Sequence, residues 1–212
     1  MHKKKIAAVT MAAIISNFSA STVSVLAHEI SNQTSKLEVK SNNEENKATI
    51  TKFDLQNNSN INAYNETFKM NNSNIESITN NGGKYGSSTI DKSIDGNLST
   101  HWETGKANSS DFTNEVVFTL KELTNLNRIV YAARQDGAKG KGFAQELEIY
   151  TSLSNEGDDF KLVANGEYNG STGDLVEIKF KPTEFKRIKF KFKKANQNWA
   201  SASEFMFYEV GD

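Results

Sequence analysis

The sequence predicts an all-β fold, an antiparallel sandwich or jelly roll of about eight strands. Three observations predict it. From Glu115 onward apolar residues recur at nearly every second position. Polar turn signals interrupt these runs at short intervals, and no long amphipathic helix pattern occurs anywhere in the chain.

The first residues stand outside this pattern. Lys3, Lys4 and Lys5 precede an apolar, Ala-rich run that closes at Val25, Leu26 and Ala27, so residues 1–27 read as a secretory signal peptide. The longest apolar run, residues 6–15, ends at Ser16 and Asn17. It is too short for about 30 Å of hydrocarbon, and membrane insertion is not expected. Residues 28–65 are rich in Asn, Ser, Lys and Glu without a sustained period, which reads as a polar linker or flexible arm. The one regular element they suggest is a short strand over 48–55. The folded unit is expected over 66–212.

Within that unit the strands follow in order. EVVFTL (115–120) precedes NRIVYAAR (127–134), where Ile129 and Tyr131 share a face. ELEIYTS (146–152) turns Leu147 and Ile149 inward, and FKLVANGEY (160–168), VEIKFKP (176–182), FKRIKFKFKK (185–194) and EFMFYEV (204–210) continue the series. The clearest alternation places Ile188, Phe190 and Phe192 on a core face and Arg187, Lys189, Lys191 and Lys193 on a wet face. Asn165-Gly166, Asn169-Gly170 and residues 137–142 read as turns.

Composition excludes several function classes. Lys plus Arg number 25 against 26 Asp plus Glu, which makes no electrostatic case for nucleic acid. An exported chain without cysteine cannot use disulfides and must rely on its core, a bound ion, or both. The histidines are His2, His28 and His101, with no HExxH and no Ser/His/Asp set, so no enzyme is expected. Two carboxylates suffice for glycoside hydrolysis, but nothing in the sequence fixes the separation of Glu103 and Asp136.

The most informative segment is SSTIDKSIDGNLSTHWETG (87–105). Asp95, Asn97 and Thr100 set three oxygen-bearing side chains within six positions, and Gly96 lets the chain double back. Calcium takes six to eight hard oxygen ligands at about 2.3–2.6 Å. The same residues also make an ordinary turn, and the spacing by itself leaves both readings open. Trp102 reads as a large core residue locking the loop to the sandwich.

The run Ser93-Ile94-Asp95-Gly96, with Thr100-His101-Trp102, the strand NRIVYAAR, ELEIYTS and the closing WASASEFMFYEV (199–210), resembles the F5/8 type C, or discoidin-like, domain. The likeness is strongest to the bacterial family 32 carbohydrate-binding modules and spans residues 67–211. The resemblance implies a discoidin-like jelly roll with a structural Ca2+. The ligands it implies are the Lys92 carbonyl, the Asp95 carboxylate, Asn97, Thr100, the Ser203 carbonyl and the Glu204 carboxylate. It also implies a sugar site in the loops at one end, with Trp199 as the stacking aromatic and Arg134 as a ligand-binding arginine. Glu103 and Lys139 stand where galactose- or N-acetylglucosamine-binding relatives often carry His and Asn. Tyr85 supplies another wall.

These features imply a non-catalytic, secreted or cell-surface module of a Gram-positive-type bacterium. Its partner would be a glycan or a glycoprotein such as mucin, and a monomer is expected. The alternative is a protein-interaction or adhesion domain of the same fold whose sugar site is lost. The THWETG-type loop is similar to those preceding secreted M60-like zinc metallopeptidases, which implies the N-terminal part of such a protein.

Overall fold

Alternation of apolar and polar side chains gives each strand one face to bury, and the computed structural model shows how those faces are paired. It describes residues 46–53 and 69–210. The stretch expected to be a signal peptide and most of that expected to be a polar arm lie outside the described residues. In chain order the strands are β1 (Thr49–Phe53), β2 (Ile75–Asn80), β3 (Trp102–Glu103), β4 (Glu115–Ala132), β5 (Ala144–Ser152), β6 (Lys161–Glu167), β7 (Leu175–Ala195), β8 (Ser201–Ala202) and β9 (Glu204–Glu209).

The hydrogen-bonded path runs β2-β4-β7-β5-β6, with β1 on β7, β9 on β4, and a separate β3–β8 pair. All these pairings are antiparallel. β4 and β7 are long because each serves both layers of the sandwich. Residues 115–119 of β4 pair with 187–191 of β7, and residues 124–132 pair with 175–185. Register shifts between Thr119 and Thr124 and between Leu126 and Arg128 bend the ribbon from one layer to the other. The four strands expected over 115–120, 127–134, 176–182 and 185–194 are therefore two bent ones.

An aromatic cluster fills the space between the layers. Phe118 of β4 meets Phe205 and Phe207 of β9 edge-on at 5.2 and 5.1 Å, and Phe190 of β7 lies 4.9 Å from Phe205. Each fully buried Phe contributes roughly 1.5–3 kcal/mol. Tyr131 is buried with the rings, and its hydroxyl donates to the Ser201 carbonyl at 2.7 Å and accepts from the Ala144 amide at 3.1 Å. Desolvation pushes its phenol pKa up.

Two local expectations change. Arg187 is buried rather than on the wet face. The loop after β5 folds over its guanidinium, which donates to the carbonyls of Ser154, Glu156 and Gly157 and to Asp159. Asn165-Gly166, read as a turn, lies inside β6. A Cβ on Gly166 would come within 2.8 Å of Ile50 Cδ1, so the bare glycine makes room for β1. The strand suggested over 48–55 is β1, paired to β7 from Thr49↔Lys179 to Phe53↔Leu175. It lies within the stretch read as a polar arm, so the sheet begins upstream of residue 66. The remaining alternation stands: Ile188, Phe190 and Phe192 are buried, while Lys189 and Lys191 pair outside with Glu115.

Candidate functional site

At one end of the sandwich the β3–β8 pair brings distant loops together, with Glu103 opposite Ser201. The Thr104 amide donates to the Ala200 carbonyl at 2.9 Å, and the Ala200 amide donates to Thr104 Oγ1 at 3.1 Å. This double tie holds the loop carrying Trp199 against β3. Before it, Gln197 and Asn198 take left-handed backbone, with φ of 59° and 63°, which turns the chain out of β7. The Tyr85 amide donates to the Glu103 carbonyl at 2.9 Å, and its ring stands 60% exposed at the rim.

A charged cluster lies between these rings. Arg134, just past the end of β4, is buried and donates to Asp136 through Nε at 2.7 Å and Nη2 at 2.6 Å. Its Nη1 donates to Glu103 Oε2 at 2.5 Å. Glu103 is itself buried. Lys141 Nζ lies 2.7 Å from the buried Glu103 Oε1, a close ion pair. The same ammonium is 5.0 Å from the Trp199 ring centroid and 5.5 Å from that of Tyr85, within cation–π range of both.

The network sets its own electrostatics. The hydrogen bonds that Arg134 donates to Asp136 hold the guanidinium pKa above its ordinary value and the Asp136 carboxyl below its own. Burial, then the charge of Arg134, lowers the His101 pKa and favours the neutral ring. His101 packs here as a loop residue, with Nε2 3.2 Å from Ser88 Oγ.

Trp199, Arg134, Glu103 and Tyr85 thus converge. Lys139 does not join them, since its aliphatic stem lies over Gly173. The residue at the centre is Lys141, which the sequence reading passed over as part of a turn. Its signal was the Gly-Lys-Gly triplet. Gly140 and Gly142 have φ of 77° and 76°, and a Cβ on Gly142 would lie 2.7 Å from Ser201 Oγ.

The loop from Lys92 to Thr100 meets the start of β9. Glu204 is buried and accepts from the amides of Gly96 at 2.5 Å and Asn97 at 3.1 Å. Asp95 accepts from the Asn97 amide at 2.9 Å and the Thr100 hydroxyl at 2.6 Å. Gly96 sits at φ 77°, where a side chain is strained. Desolvation, helped by the neighbouring Asp95, pushes the Glu204 pKa up to about 7 despite the two amides. Among the described residues no three His, Cys, Asp or Glu side chains gather as a metal group. The donor set of this loop is instead two carboxylates among neutral oxygens. Among the described residues these two neighbouring carboxylates, one of them buried, have no cation partner, which fits a hard divalent ion.

The fold and this loop-built end define a discoidin-like jelly-roll domain with aromatic and charged side chains gathered at one end. The F5/8 type C domain profile matches residues 74–205. The chain belongs to the F5/8 type C domain family. It is similar to the structure of the CBM32-1, CBM32-2 and M60 catalytic domains of Clostridium perfringens ZmpB, at 67% identity over 78% of this chain with a TM-score of 0.75. It is also similar to the CBM32-1 and CBM32-2 domains of ZmpB in complex with GalNAc, at 66% identity over 79% of this chain with a TM-score of 0.76. The chain spans only 17% of the first structure and 42% of the second. The family 32 module of C. perfringens NanJ in complex with galactose, 22% identical over 67% of this chain and 98% of its own with a TM-score of 0.57, shares the fold. No curated protein matches the chain.

Proposed function

We propose that the chain is a non-catalytic, secreted or cell-surface carbohydrate-binding module that takes a sugar of a host or cell-surface glycan at the Trp199 end. One observation carries this reading. Trp199 and Tyr85 flank one space at the loop end, and between them the Lys141 ammonium, ion-paired with Glu103, lies within reach of both rings. A pyranose needs such a set: aromatic faces for its C–H surface, and a few fixed polar groups for its hydroxyls. N-acetylgalactosamine is the first sugar to test, because a 66% identical structure is described in complex with GalNAc. Mucin-type glycoproteins are the corresponding partners, and an M60 peptidase is the enzyme such a module would accompany.

Calcium has a structural role in this proposal. Asp95 and Glu204 would hold it with Asn97, Thr100 and the carbonyls of Lys92 and Ser203, tying the first long loop to β9. The ion would contribute charge neutralisation and no chemistry. A protein-interaction or adhesion role is the second reading, favoured by the mutual pairing of Glu103, Arg134 and Lys141, which engages polar groups that a sugar would use.

A glycan array in calcium, repeated with Trp199→Ala, tests the reading. Binding should fall at least tenfold in the variant, about 1.4 kcal/mol. Sugar binding untouched by the substitution would refute this site. Capture of a protein partner that survives deglycosylation would support the second reading instead.

A further inference from the structure

The backbone of Lys141 is tied by hydrogen bonds, while its side chain reaches away from the loop to the two rings. Its amide donates to the Ala138 carbonyl at 3.0 Å, its carbonyl accepts from the Ser201 hydroxyl, and the Gly142 carbonyl accepts from the Ser201 amide at 3.0 Å. Left-handed glycines on both sides fix the direction in which the side chain leaves the loop. The four-carbon stem is therefore a tether from a fixed point to the space shared by Trp199 and Tyr85. Its ammonium occupies the ring faces on which a sugar would stack, and its side chain is 24% exposed.

The partners of the ammonium determine what can replace it. Glu103 keeps Arg134 on Oε2 when Lys141 leaves Oε1, so the buried carboxylate is not stranded. Arg134 is held on its far side by Asp136 and stays in place. His101, at the edge of the cluster, favours its neutral form. Lys141 is thus the one cation of the cluster that a ligand can recruit at modest cost. A neutral sugar has to displace it from both rings and gives its charge no counterpart. A sugar bearing a carboxylate or sulfate supplies the counter-charge that Glu103 gives up.

We propose, building on the sugar-binding reading above, that Lys141 is the specificity-determining residue of this end. It favours acidic over neutral sugars, and its removal reverses the order. The chemistry shared by the favoured ligands is an oxyanion on a pyranose. Carboxylate and sulfate are distinguished by separate arms of the test.

Calorimetric titration of the full chain in calcium compares galactose with galacturonic acid, and N-acetylgalactosamine with its 6-sulfate, for wild type and Lys141→Met. The thermal transition of each protein is recorded alongside to establish that the variant is folded. The wild type should prefer the acidic member of at least one pair about fivefold at low salt, and added salt should erode the preference. In Lys141→Met the neutral member should gain affinity and the acidic member lose it. Which pair shows the reversal identifies carboxylate or sulfate. The same ranking in both proteins, or a neutral preference in the wild type, overturns the assignment. Binding of the neutral sugars that Trp199→Ala leaves unchanged overturns the site reading instead. Failure of all four sugars to bind either protein overturns both.

Discussion

Removing the Arg134 guanidinium should destabilise the loop end, because it strands a buried carboxylate. In Arg134→Met the Glu103 carboxylate, only 2% exposed, loses the partner on Oε2 and keeps only Lys141 beside Oε1. Breaking a buried pair from one side costs about 3–5 kcal/mol. The remaining Lys141 charge places this site near the low end, about 3 kcal/mol. For a domain of this size each kcal/mol moves the melting temperature by about 2–4 °C, so the midpoint should fall by about 6–12 °C. The double variant Glu103→Met/Arg134→Met removes the stranded charge and should recover most of the loss, since Asp136 and Lys141 both reach solvent. Urea unfolding of the wild type, both single variants and the double variant gives the coupling energy directly. A loss below about 0.5 kcal/mol in Arg134→Met, or a double variant no better than the single, would refute this reasoning.

Further outcomes follow from the same structure. Tyr131→Phe strands the Ser201 carbonyl and the Ala144 amide in the core and should cost about 2–4 kcal/mol by urea unfolding. Gly142→Ala forces a left-handed alanine whose Cβ meets Ser201, and should cost at least about 1–2 kcal/mol while lowering affinity for an acidic sugar by displacing Lys141. The Tyr168 hydrogen bond, then Lys52, holds the Asp174 pKa below its unfolded value of 3.8. The stability this gives is present above that value and lost as pH falls through the lowered folded one. Asp174→Asn should therefore flatten the acid limb of a stability–pH profile below about pH 4 without changing its shape near neutrality. EDTA should lower the melting temperature and calcium restore it, an effect Asp95→Ala abolishes; an EDTA-insensitive transition would remove the ion from the account.

How much of this was legible in the sequence depended on how local the cause was. Ile188, Phe190 and Phe192 could be placed in the core because a strand repeats every two residues, and burial follows from that period. Arg187, on the opposite face of the same strand, broke the rule because a loop thirty residues upstream folds back over it. The bends of β4 and β7 were equally hidden, since a register shift depends on both partners. At the site, Trp199 and Arg134 were found through resemblance and lie together. The same resemblance puts Lys139 where relatives often carry Asn, whereas its stem lies over Gly173 and the left-handed glycines of that turn bring Lys141 to the rings instead. The pairing of Glu103 with Arg134 spans 31 residues and arises only when β3 meets β8.

The central claim is that a sugar docks on Trp199, and the chain carries its own control for testing it. Its two tryptophans differ completely in setting: Trp102 is fully buried with its indole nitrogen enclosed, and Trp199 stands half-buried at the loop end. Titration of the 15N-labelled chain with N-acetylgalactosamine in calcium, read at the two indole N–H resonances, should shift the Trp199 signal progressively and leave that of Trp102 in place. A saturating sugar concentration that moves neither resonance, or moves only Trp102, would contradict the account.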